Sequence, residues 1–342
     1  MSVPDDAGGV VPGTLSHAMG DRADRRTPGA PHRPGPPPSS PGLVHALRRT
    51  VTEAAGYTAR TFLSPSGLRG LAVEGAWSAV HLASYPWGLA HEHIRPEGPY
   101  KHYRTDALSP GQRSLVVSDM AAAGTPILLL HGIWDNRSVF GVFRGALRRR
   151  GFGVVHGVNY SALTTDVRAE AHELRRHVDR LRERTGSDRV HLVGHSLGGL
   201  IGRYYVQRLG GDEAVHTLTT LGSPHRGTAA AYLLPTPLAR QLVPGSDLFA
   251  ELAEPAPRCR TRFLVVWSRL DHLIVPQRNA RLEHPDLNIR SLELTNVGHL
   301  SLPIHPRTVH WVASSLSKLD EEPPLGSRTG SGRTRVGPPD HR

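Results

Sequence analysis

The clearest pattern in the chain is an alternation between short apolar runs and longer stretches in which apolar residues recur every three or four positions. Residues 126–130 form an apolar run without polar interruption, which is typical of a strand buried on both faces. From Val167 to Leu181 apolar side chains recur at spacings of four and three, which predicts an amphipathic helix. Capping oxygens at 164–166 and the glycine at Gly186 predict where this helix begins and ends.

The same alternation continues towards the carboxyl terminus. Further strands are predicted at 154–158, 190–193, 217–221, 263–267 and 289–294, and further helices at 197–209 and 306–319. Strands that alternate with helices indicate an α/β fold, with a mostly parallel central sheet covered by helices on both faces. In such sheets the functional residues lie at the carboxyl ends of the strands.

Outside this region the pattern is weaker. Residues 1–42 and 320–342 are rich in Pro, Gly and Ser or in charges and poor in large apolar side chains, which predicts disordered tails. Residues 43–110 are predicted to be a helical N-terminal extension, and the α/β domain is predicted to occupy residues 111–319. Two helical stretches are predicted in the extension, one interrupted near Gly56 and one over about 70–90 that ends before His91.

The second helical stretch carries three amphipathic aromatic residues, Trp77, Tyr85 and Trp87. Such side chains favour the interface of a lipid bilayer, which would make residues 70–90 a peripheral membrane contact. The alternative is that they pack against the α/β domain as a cap. The pattern alone leaves both interpretations open.

Charge and composition narrow the functional classes. The net charge is +11, but apart from Arg148–Arg150 the basic residues are spread thinly, which argues against a nucleic-acid-binding protein. The single cysteine, Cys259, excludes an intrachain disulfide. We see neither a signal peptide nor an apolar run long enough to span a bilayer, so we expect a cytoplasmic protein, with peripheral membrane contact as an open alternative.

A small cluster of potential metal ligands interrupts the extension. It consists of His91, Glu92, His93 and His102. Because no further Cys, His or carboxylate follows at a suitable spacing, we predict no metal site.

Candidate chemistry begins with the motif G-x-S-x-G at residues 194–198, with Ser196 at its centre. The motif lies between a predicted strand and a predicted helix, where a serine in a tight, strained turn is pushed out of the sheet and exposed for attack. Glycines flank it because the turn leaves no room for side chains. Ser196 is therefore the predicted nucleophile.

A serine hydroxyl needs a neighbouring base, and in this arrangement the acid and then the histidine follow the serine along the chain. Asp271 follows the strand at 263–267 and is the predicted acid, with Glu283 and Asp286 as competitors in a polar stretch. His299 follows the last predicted strand and is the predicted base. Two later histidines, His305 and His310, compete with it.

The negative charge that develops on a carbonyl oxygen during acyl transfer requires fixed hydrogen-bond donors. One expected donor is the backbone N–H of Leu197, the residue after the nucleophile. The second is expected in the loop after the first core strand, at Ile133 within His131–Trp134.

Together these segments resemble the bacterial triacylglycerol lipase and esterase branch of the α/β-hydrolases. The matching segments are Leu130-His131-Gly132, Gly194 to Gly199, Leu221 to Thr228, Asp271 with Val275-Pro276, and Gly298-His299. The resemblance implies ester hydrolysis without an organic cofactor, on lipid or acylglycerol-like substrates, and a cap over the acyl pocket at about 228–257. The sequence departs from this family in two respects. Many such lipases are secreted, whereas we see no signal peptide in this sequence. Some carry a structural calcium, for which this sequence offers no ligand set.

The function predicted from the sequence is therefore a serine hydrolase that cleaves carboxylic esters through an acyl-enzyme intermediate. The same catalytic residues could serve an acyltransferase or a thioesterase, because fold and triad do not fix the acyl acceptor or the leaving group. A non-catalytic membrane-surface binding protein on a hydrolase scaffold is the alternative from another functional class.

Overall fold

Six parallel strands form the central sheet in the computed structural model, which describes residues 64–94, 119–160 and 164–319, without the side chains of 90–94. The strands are β1 (Ile127–Leu130), β2 (Val155–Val158), β3 (Val190–His195), β4 (Val215–Leu221), β5 (Arg262–Ser268) and β6 (Asn288–Leu294). All five predicted strands after the first are present, within two residues of their predicted limits. The predicted tails and the predicted helical stretch before residue 64 lie outside the described residues.

The strand order places the loops after β1 and β3 beside each other. The order is β2-β1-β3-β4-β5-β6, so the chain leaves β1 towards one edge of the sheet and returns on the other side of β1 with β3. Leu130 at the end of β1 is in register with Gly194 near the end of β3. Parallel strands with this order open a crevice at their carboxyl ends, where the chain direction switches.

Alternating side chains of the strands build two hydrophobic cores, one on each face of the sheet. On β1, Leu128 and Leu130 belong to one core, whereas Ile127 and Leu129 belong to the other. Both faces of the strand are buried, which explains its uninterrupted apolar sequence.

Helices cover both faces of the sheet. The α-helices in the described residues are α1 (Pro65–Ile94), α2 (Met120–Gly124), α3 (Gly141–Arg149), α4 (Val167–Thr185), α5 (Leu197–Arg208), α6 (Pro237–Leu242), α7 (Asp247–Ala253) and α8 (Pro306–Leu316). Helices α4 and α5 contribute to one core, and α3 and α8 contribute to the other.

The amphipathic helix predicted from Val167 is α4, and its ends follow the predicted rules. The Asp166 side chain accepts a hydrogen bond from the Arg168 N–H, and Gly186 adopts a left-handed conformation with φ of 67° just past the helix. Helix α3 was not predicted, because three consecutive arginines end it and only Phe143, Ala146 and Leu147 are buried.

The N-terminal helix α1 is longer than the predicted stretch of about 70–90. It begins at Pro65, which suits the first turn of a helix, and continues through His91 to Ile94. The sequence prediction ended it at His91 because polar residues cluster there, but polar side chains do not by themselves stop a helix.

Candidate active site

Ser196 lies in the turn that joins β3 directly to α5. Its backbone has φ of 53° and ψ of −119°, a conformation that residues other than glycine rarely adopt. The Ser196 N–H donates to the carbonyl oxygen of Leu221 at 2.9 Å, which ties the turn to β4. The side chain is 8% exposed, so it lies just below the surface at the carboxyl end of the sheet. This is the tight strand-to-helix turn that the sequence predicts.

The glycines around Ser196 are required because backbone segments cross at this turn. A Cβ atom at Gly194 would lie 2.4 Å from the backbone nitrogen of Gly199. A Cβ atom at Gly198 would lie 2.4 Å from the carbonyl oxygen of Leu130, at the end of β1. Since real Cβ contacts are never this short, the motif is fixed by close packing of β1, β3 and α5.

Asp271 and His299 form a buried pair in the loops after β5 and β6. His299 Nδ1 lies 2.7 Å from Asp271 Oδ2, and both side chains are buried. The other carboxylate oxygen, Oδ1, accepts hydrogen bonds from the N–H groups of Leu273 and Ile274, each at 2.9 Å. Asp271 is thus a hydrogen-bond acceptor on both oxygens, and its position fixes the imidazole ring.

The electrostatics of this pair favour a charged carboxylate and a basic imidazole. Burial by itself would raise the pKa of Asp271, but the His299 ring and the hydrogen bonds from the loop outweigh it, and the pKa lies below its usual value. Burial by itself would lower the pKa of His299, but the charge and hydrogen bond of Asp271 outweigh it, and the pKa lies above its usual value. His299 is therefore a stronger base than a free imidazole.

His195, the residue before the nucleophile, connects the turn to the loop of His299. Its ring lies 4.8 Å from the His299 ring, and its Nε2 lies 3.1 Å from the His299 carbonyl oxygen. Burial lowers the pKa of His195 to about 4, so the ring is neutral near pH 7 and donates through Nε2. This contact holds the loop of the predicted base against the residue next to Ser196.

The loop after β1, with Ile133, approaches the turn from the other side. A Cβ atom at Gly132 would lie 3.2 Å from the Ser196 Cβ, so the two loops are in van der Waals contact. The His131 ring stacks on Tyr160 with centroids 4.1 Å apart, and the Tyr160 hydroxyl donates to the His131 carbonyl oxygen at 2.7 Å. These contacts fix the backbone that carries the Ile133 N–H.

Backbone strain within the described ranges is confined to the same two loops. Trp134 has φ of 53°, and Trp134 and Ser196 are the non-glycine residues with positive φ in that part of the chain. Strained conformations persist where the surrounding structure fixes them, and they concentrate at active sites. The expected second donor, Ile133, directly precedes one of these positions, and Leu197 directly follows the other.

The competing residues lie away from this centre. Asp286 accepts a hydrogen bond from the Ala256 N–H, and Glu283 lies 3.6 Å from the Arg226 side chain at an exposed position. His305 occupies the N-cap position of α8 without a side-chain capping hydrogen bond, and His310 is an exposed residue on that helix. The structure thus brings Ser196, Asp271 and His299 to one end of the sheet and leaves the alternatives outside it.

The predicted cap begins beside the Asp271 loop. The Thr228 hydroxyl donates to the Leu273 carbonyl oxygen at 2.7 Å and accepts from the Val275 N–H at 3.0 Å. The segment then contains a short 3-10 turn (Ala229–Leu233) and the helices α6 and α7. Tyr232 and Leu233 are exposed, so this segment presents apolar side chains on its surface. That it covers an acyl pocket remains a prediction.

Three residues near the centre were not singled out by the sequence. The Gln277 side chain donates to the Asp271 carbonyl oxygen at 3.0 Å. Tyr160 supports the loop of Ile133, and Glu74 of α1 binds the backbone just after His299. Tyr160 and Glu74 carry no sequence signal because their partners are distant in the chain. Gln277 lies only six residues after Asp271, but a lone glutamine in a loop does not form a recognisable motif.

The described residues contain no group of three or more His, Cys, Asp or Glu side chains placed to hold a metal ion. The cluster singled out in the sequence, His91, Glu92, His93 and His102, lies outside the residues whose side chains are described. None of the helices in the described part of the chain is both long and apolar enough to cross a membrane.

Comparison with known proteins supports this description of the fold. Residues 125–245 match the family model described as alpha/beta hydrolase fold. A solved structure of lipase B from Aspergillus fumigatus superposes with a TM-score of 0.51 at 15% identity, covering 66% of this chain and 64% of that one. At that identity the likeness concerns the fold alone, and the predicted α/β-hydrolase fold is confirmed.

The chain is also similar in sequence to bacterial lipases. The chain is 30% identical over 135 residues to a triacylglycerol lipase of Burkholderia plantarii, which covers 37% of this chain and 36% of that protein. It is also 30% identical over 111 residues to a triacylglycerol lipase of Pseudomonas fragi, covering 31% and 36% respectively. The predicted resemblance to bacterial lipases is confirmed, although the chain spans only about a third of the length of these relatives.

Proposed function

We propose that this chain with an α/β-hydrolase fold is a serine hydrolase that cleaves carboxylic esters, with Ser196, Asp271 and His299 as its catalytic residues. The observation that carries the proposal is the convergence at one end of the sheet. A strained serine turn meets a buried histidine–aspartate pair through the contact between His195 and the His299 carbonyl oxygen. Similarity to triacylglycerol lipases supports ester hydrolysis at the level of the family.

The proposed reaction has two halves. In the first, Ser196 Oγ attacks the ester carbonyl carbon while His299 Nε2 accepts the hydroxyl proton, and the N–H groups of Ile133 and Leu197 stabilise the negative oxygen. Collapse of this intermediate breaks the bond to the alcohol, which leaves with the proton from His299. In the second half, water attacks the acyl-enzyme with His299 again as base and releases the carboxylic acid. The Asp271 carboxylate accepts the hydrogen bond from His299 Nδ1–H throughout and stabilises the imidazolium.

Ester substrates with lipid-like acyl chains fit the apolar surroundings of this centre. Trp134 and Leu273, in the loops that carry Ile133 and Asp271, are exposed, as are Tyr232 and Leu233 in the predicted cap. Exposed apolar side chains on the loops that carry the proposed catalytic groups favour an apolar ligand there. The apolar acyl chain of the substrate would contact these residues.

The experiment that tests this function measures hydrolysis of p-nitrophenyl esters from short to long acyl chains. We expect turnover by the wild-type chain that is lost in Ser196→Ala, while Ser314→Ala, at an exposed position of α8, retains it. The acyl length at which kcat/KM is largest distinguishes an esterase from a lipase. Folded wild-type protein without turnover on any ester would contradict the proposal and favour acyl transfer to a specific acceptor.

A peripheral membrane contact through residues 70–90 is a second proposal, and the exposed face of α1 supports it. Leu82 is 73% and Trp87 is 70% exposed, and Val73, Val80 and Leu89 are also exposed. Of the three aromatic residues considered in the sequence, Trp77 and Tyr85 are half-buried and Trp87 projects outwards. Val73, Val80 and Trp87 recur every seven residues and share one stripe of α1, and Leu82 and Leu89 share a second stripe. Exposed apolar side chains and tryptophan are favoured at the membrane–water interface.

Co-sedimentation with vesicles tests this contact. We expect wild-type protein to sediment with vesicles that contain phosphatidylserine, and the double variant Leu82→Ser/Trp87→Ser to remain in the supernatant. Val142→Ser, an exposed apolar residue of α3, is the matched control and should sediment like wild type. Equal sedimentation of the double variant and wild type would contradict the proposal.

A further inference from the structure

Helix α1 is buried through small and polar residues rather than through apolar ones. Its buried positions up to residue 89 are Gly67, Gly70, Glu74, His81 and Gly88. Their spacings of three, four, seven and seven residues place them along one face of the helix. An ordinary surface helix buries its apolar face. The glycines on the inward face of α1 therefore allow close approach of neighbouring backbone, and Glu74 and His81 provide hydrogen-bonding groups.

Glu74 at the centre of this face holds the backbone that follows the predicted base. Its Oε1 accepts a hydrogen bond from the Leu300 N–H at 2.6 Å. Its Oε2 accepts from the Ser301 N–H at 2.9 Å and from the Ser301 hydroxyl at 2.5 Å. Three hydrogen bonds to one carboxylate, two of them from adjacent N–H groups, fix the chain immediately after His299.

The burial of Glu74 shows that this contact is a built feature. The side chain is only 5% exposed, and burying a carboxylate is costly unless hydrogen bonds compensate it. The residue before His299 is Gly298, where a Cβ atom would lie 2.3 Å from the Glu74 carboxyl carbon. In this chain, the glycine of the Gly-His pair thus leaves the space that Glu74 occupies.

Two turns further along α1, His81 makes the corresponding contact with the loop of the predicted oxyanion donor. His81 Nε2 lies 2.8 Å from Asp135 Oδ1, and both residues are buried. The next residue in the loop, Asn136, donates through its side chain to the Tyr85 carbonyl oxygen at 3.0 Å. A Cβ atom at Gly88 would lie 2.0 Å from Asn136 Oδ1, so this glycine is also required for the approach.

We propose that α1 is part of the catalytic apparatus: Glu74 is a positioning residue for His299, and His81 positions the loop that carries the Ile133 N–H. The proposal rests on the ester-hydrolase function proposed above. One helix, 30 residues long, contacts the loops after β1 and β6, which carry the expected second oxyanion donor and the predicted base. Residues 65–94 precede the segment that matches the family model, so the family resemblance does not supply this role.

Glu74 also acts on His299 through its charge. Burial lowers the pKa of His299, and the charge and hydrogen bond of Asp271 raise it. The negative charges of Glu74 and Asp135 raise this pKa further. The groups around the His299 ring are Asp271, Glu74, Asp135, His195 and His272, the last with its ring centroid 6.5 Å away. His272 Nδ1 also lies 4.0 Å from Glu74 Oε1. Removing the charge at Glu74 therefore makes His299 less basic.

The test compares Glu74→Gln with Glu74→Asp in pH profiles of kcat/KM. Glu74→Gln keeps the size but loses the charge and turns an amide donor towards N–H groups, so we expect kcat to fall about tenfold to a hundredfold, as for a misplaced catalytic group. Only neutral His299 can act as the base. Because the pKa of His299 should be lower in Glu74→Gln, His299 stays neutral to lower pH and the acid limb of the profile moves to lower pH. Glu74→Asp keeps the charge, so the acid limb should stay near its wild-type position although kcat falls.

Two controls separate positioning from general damage. Glu251→Gln removes a half-buried carboxylate that is bonded to Arg168 and Tyr204, far along the chain from His299, and should leave the acid limb unchanged. Ser301→Ala removes one of the three hydrogen bonds and keeps the charge, so kcat should fall mildly without a shift of the limb. If Glu74→Gln does not fold, Glu74→Asp and Ser301→Ala still test the positioning role through kcat.

Direct titration of His299 by NMR distinguishes failure of this inference from failure of the proposed function. The Cε1–H resonance, assigned by its loss in His299→Gln, should titrate at lower pH in Glu74→Gln than in wild type whether or not an ester is turned over. Wild-type kcat and an unshifted resonance in folded Glu74→Gln would overturn the inference. A shifted resonance in a chain without Ser196-dependent turnover would support it and contradict the ester-hydrolase function.

Discussion

Replacing Asp271 by Asn tests the proposed mechanism at its most constrained point. The carboxylate is buried, with Oδ1 bound to the N–H groups of Leu273 and Ile274 and Oδ2 bound to His299 Nδ1. Asn has the same shape, so the volume of the site is unchanged. However, the Asn side chain has one acceptor oxygen and one donor NH₂ group, whereas both oxygens of Asp271 accept hydrogen bonds from neighbouring donors.

The two backbone N–H groups decide how the new amide is oriented. If the Asn oxygen faces Leu273 and Ile274, it keeps both of their hydrogen bonds, and its NH₂ group faces His299 Nδ1. The opposite orientation leaves two backbone donors facing an NH₂ group, which costs about 1–3 kcal/mol for each buried group left unsatisfied. The first orientation is favoured, and it forces the His299 proton from Nδ1 to Nε2. The base then presents an N–H to Ser196 instead of an acceptor.

The expected loss in kcat is about 10⁴, the magnitude seen when the histidine of a serine protease is held in the wrong tautomer. It corresponds to about 5 kcal/mol of transition-state stabilisation. The free energy of unfolding should change much less, because the hydrogen bonds to the loop are retained. Ester hydrolysis and thermal unfolding measured on the same preparation separate the two effects.

Asp286→Asn is the matched control, since Asp286 also accepts a backbone hydrogen bond and also lies between Ser196 and His299 in the chain. It should retain wild-type kcat. A mild loss in Asp271→Asn together with a severe loss in Asp286→Asn would refute the assignment of the acid. A large drop in the melting temperature of Asp271→Asn would show that the hydrogen bonds from the Leu273 and Ile274 N–H groups are not retained.

Three further predictions concern the same centre. Because the pKa of His299 is raised, the acid limb of kcat/KM should have its midpoint above about pH 6.5, with activity lost as the pH falls; a profile from pH 5 to 9 measures it. Gly198→Ala should abolish soluble folded protein by its clash with the end of β1, whereas Gly75→Ala, at an open helix position, should stabilise α1 by about 1 kcal/mol in denaturant unfolding. Tyr160→Phe removes the hydrogen bond to the His131 carbonyl oxygen and should lower kcat about tenfold with little change in KM, measured with the best ester.

The elements of the α/β domain could be predicted from the sequence because their signals are local. A fully buried parallel strand has a continuous apolar sequence, and a helix such as α4 has an amphipathic repeat. The glycines around Ser196 have a similar local cause, since the tight turn forces backbone segments within about 2.4 Å of any added Cβ. Helix α3 lacked such a signal, because a run of arginines obscures its short apolar face.

The supporting contacts of the candidate site could not be predicted, because their partners are distant in sequence. Glu74 and Leu300 are separated by 226 positions, and Tyr160 and His131 by 29. A glutamate in a helix among alanines and valines has the pattern of a solvent-exposed residue. Only the packed fold shows that the polar face of α1 is turned inwards and the apolar face outwards.

The inverted arrangement of α1 makes its two proposed roles separable. The inner face, with Glu74 and His81, contacts the loops of the candidate active site, while the outer face presents Leu82 and Trp87. Substitutions on the outer face should release the protein from vesicles without moving the acid limb of kcat/KM on a water-soluble ester. Glu74→Gln on the inner face should move the acid limb without releasing the protein from vesicles. A variant such as Trp87→Ser that moved both readouts equally would show that α1 acts through its overall stability, because only loss of the whole helix connects the two faces.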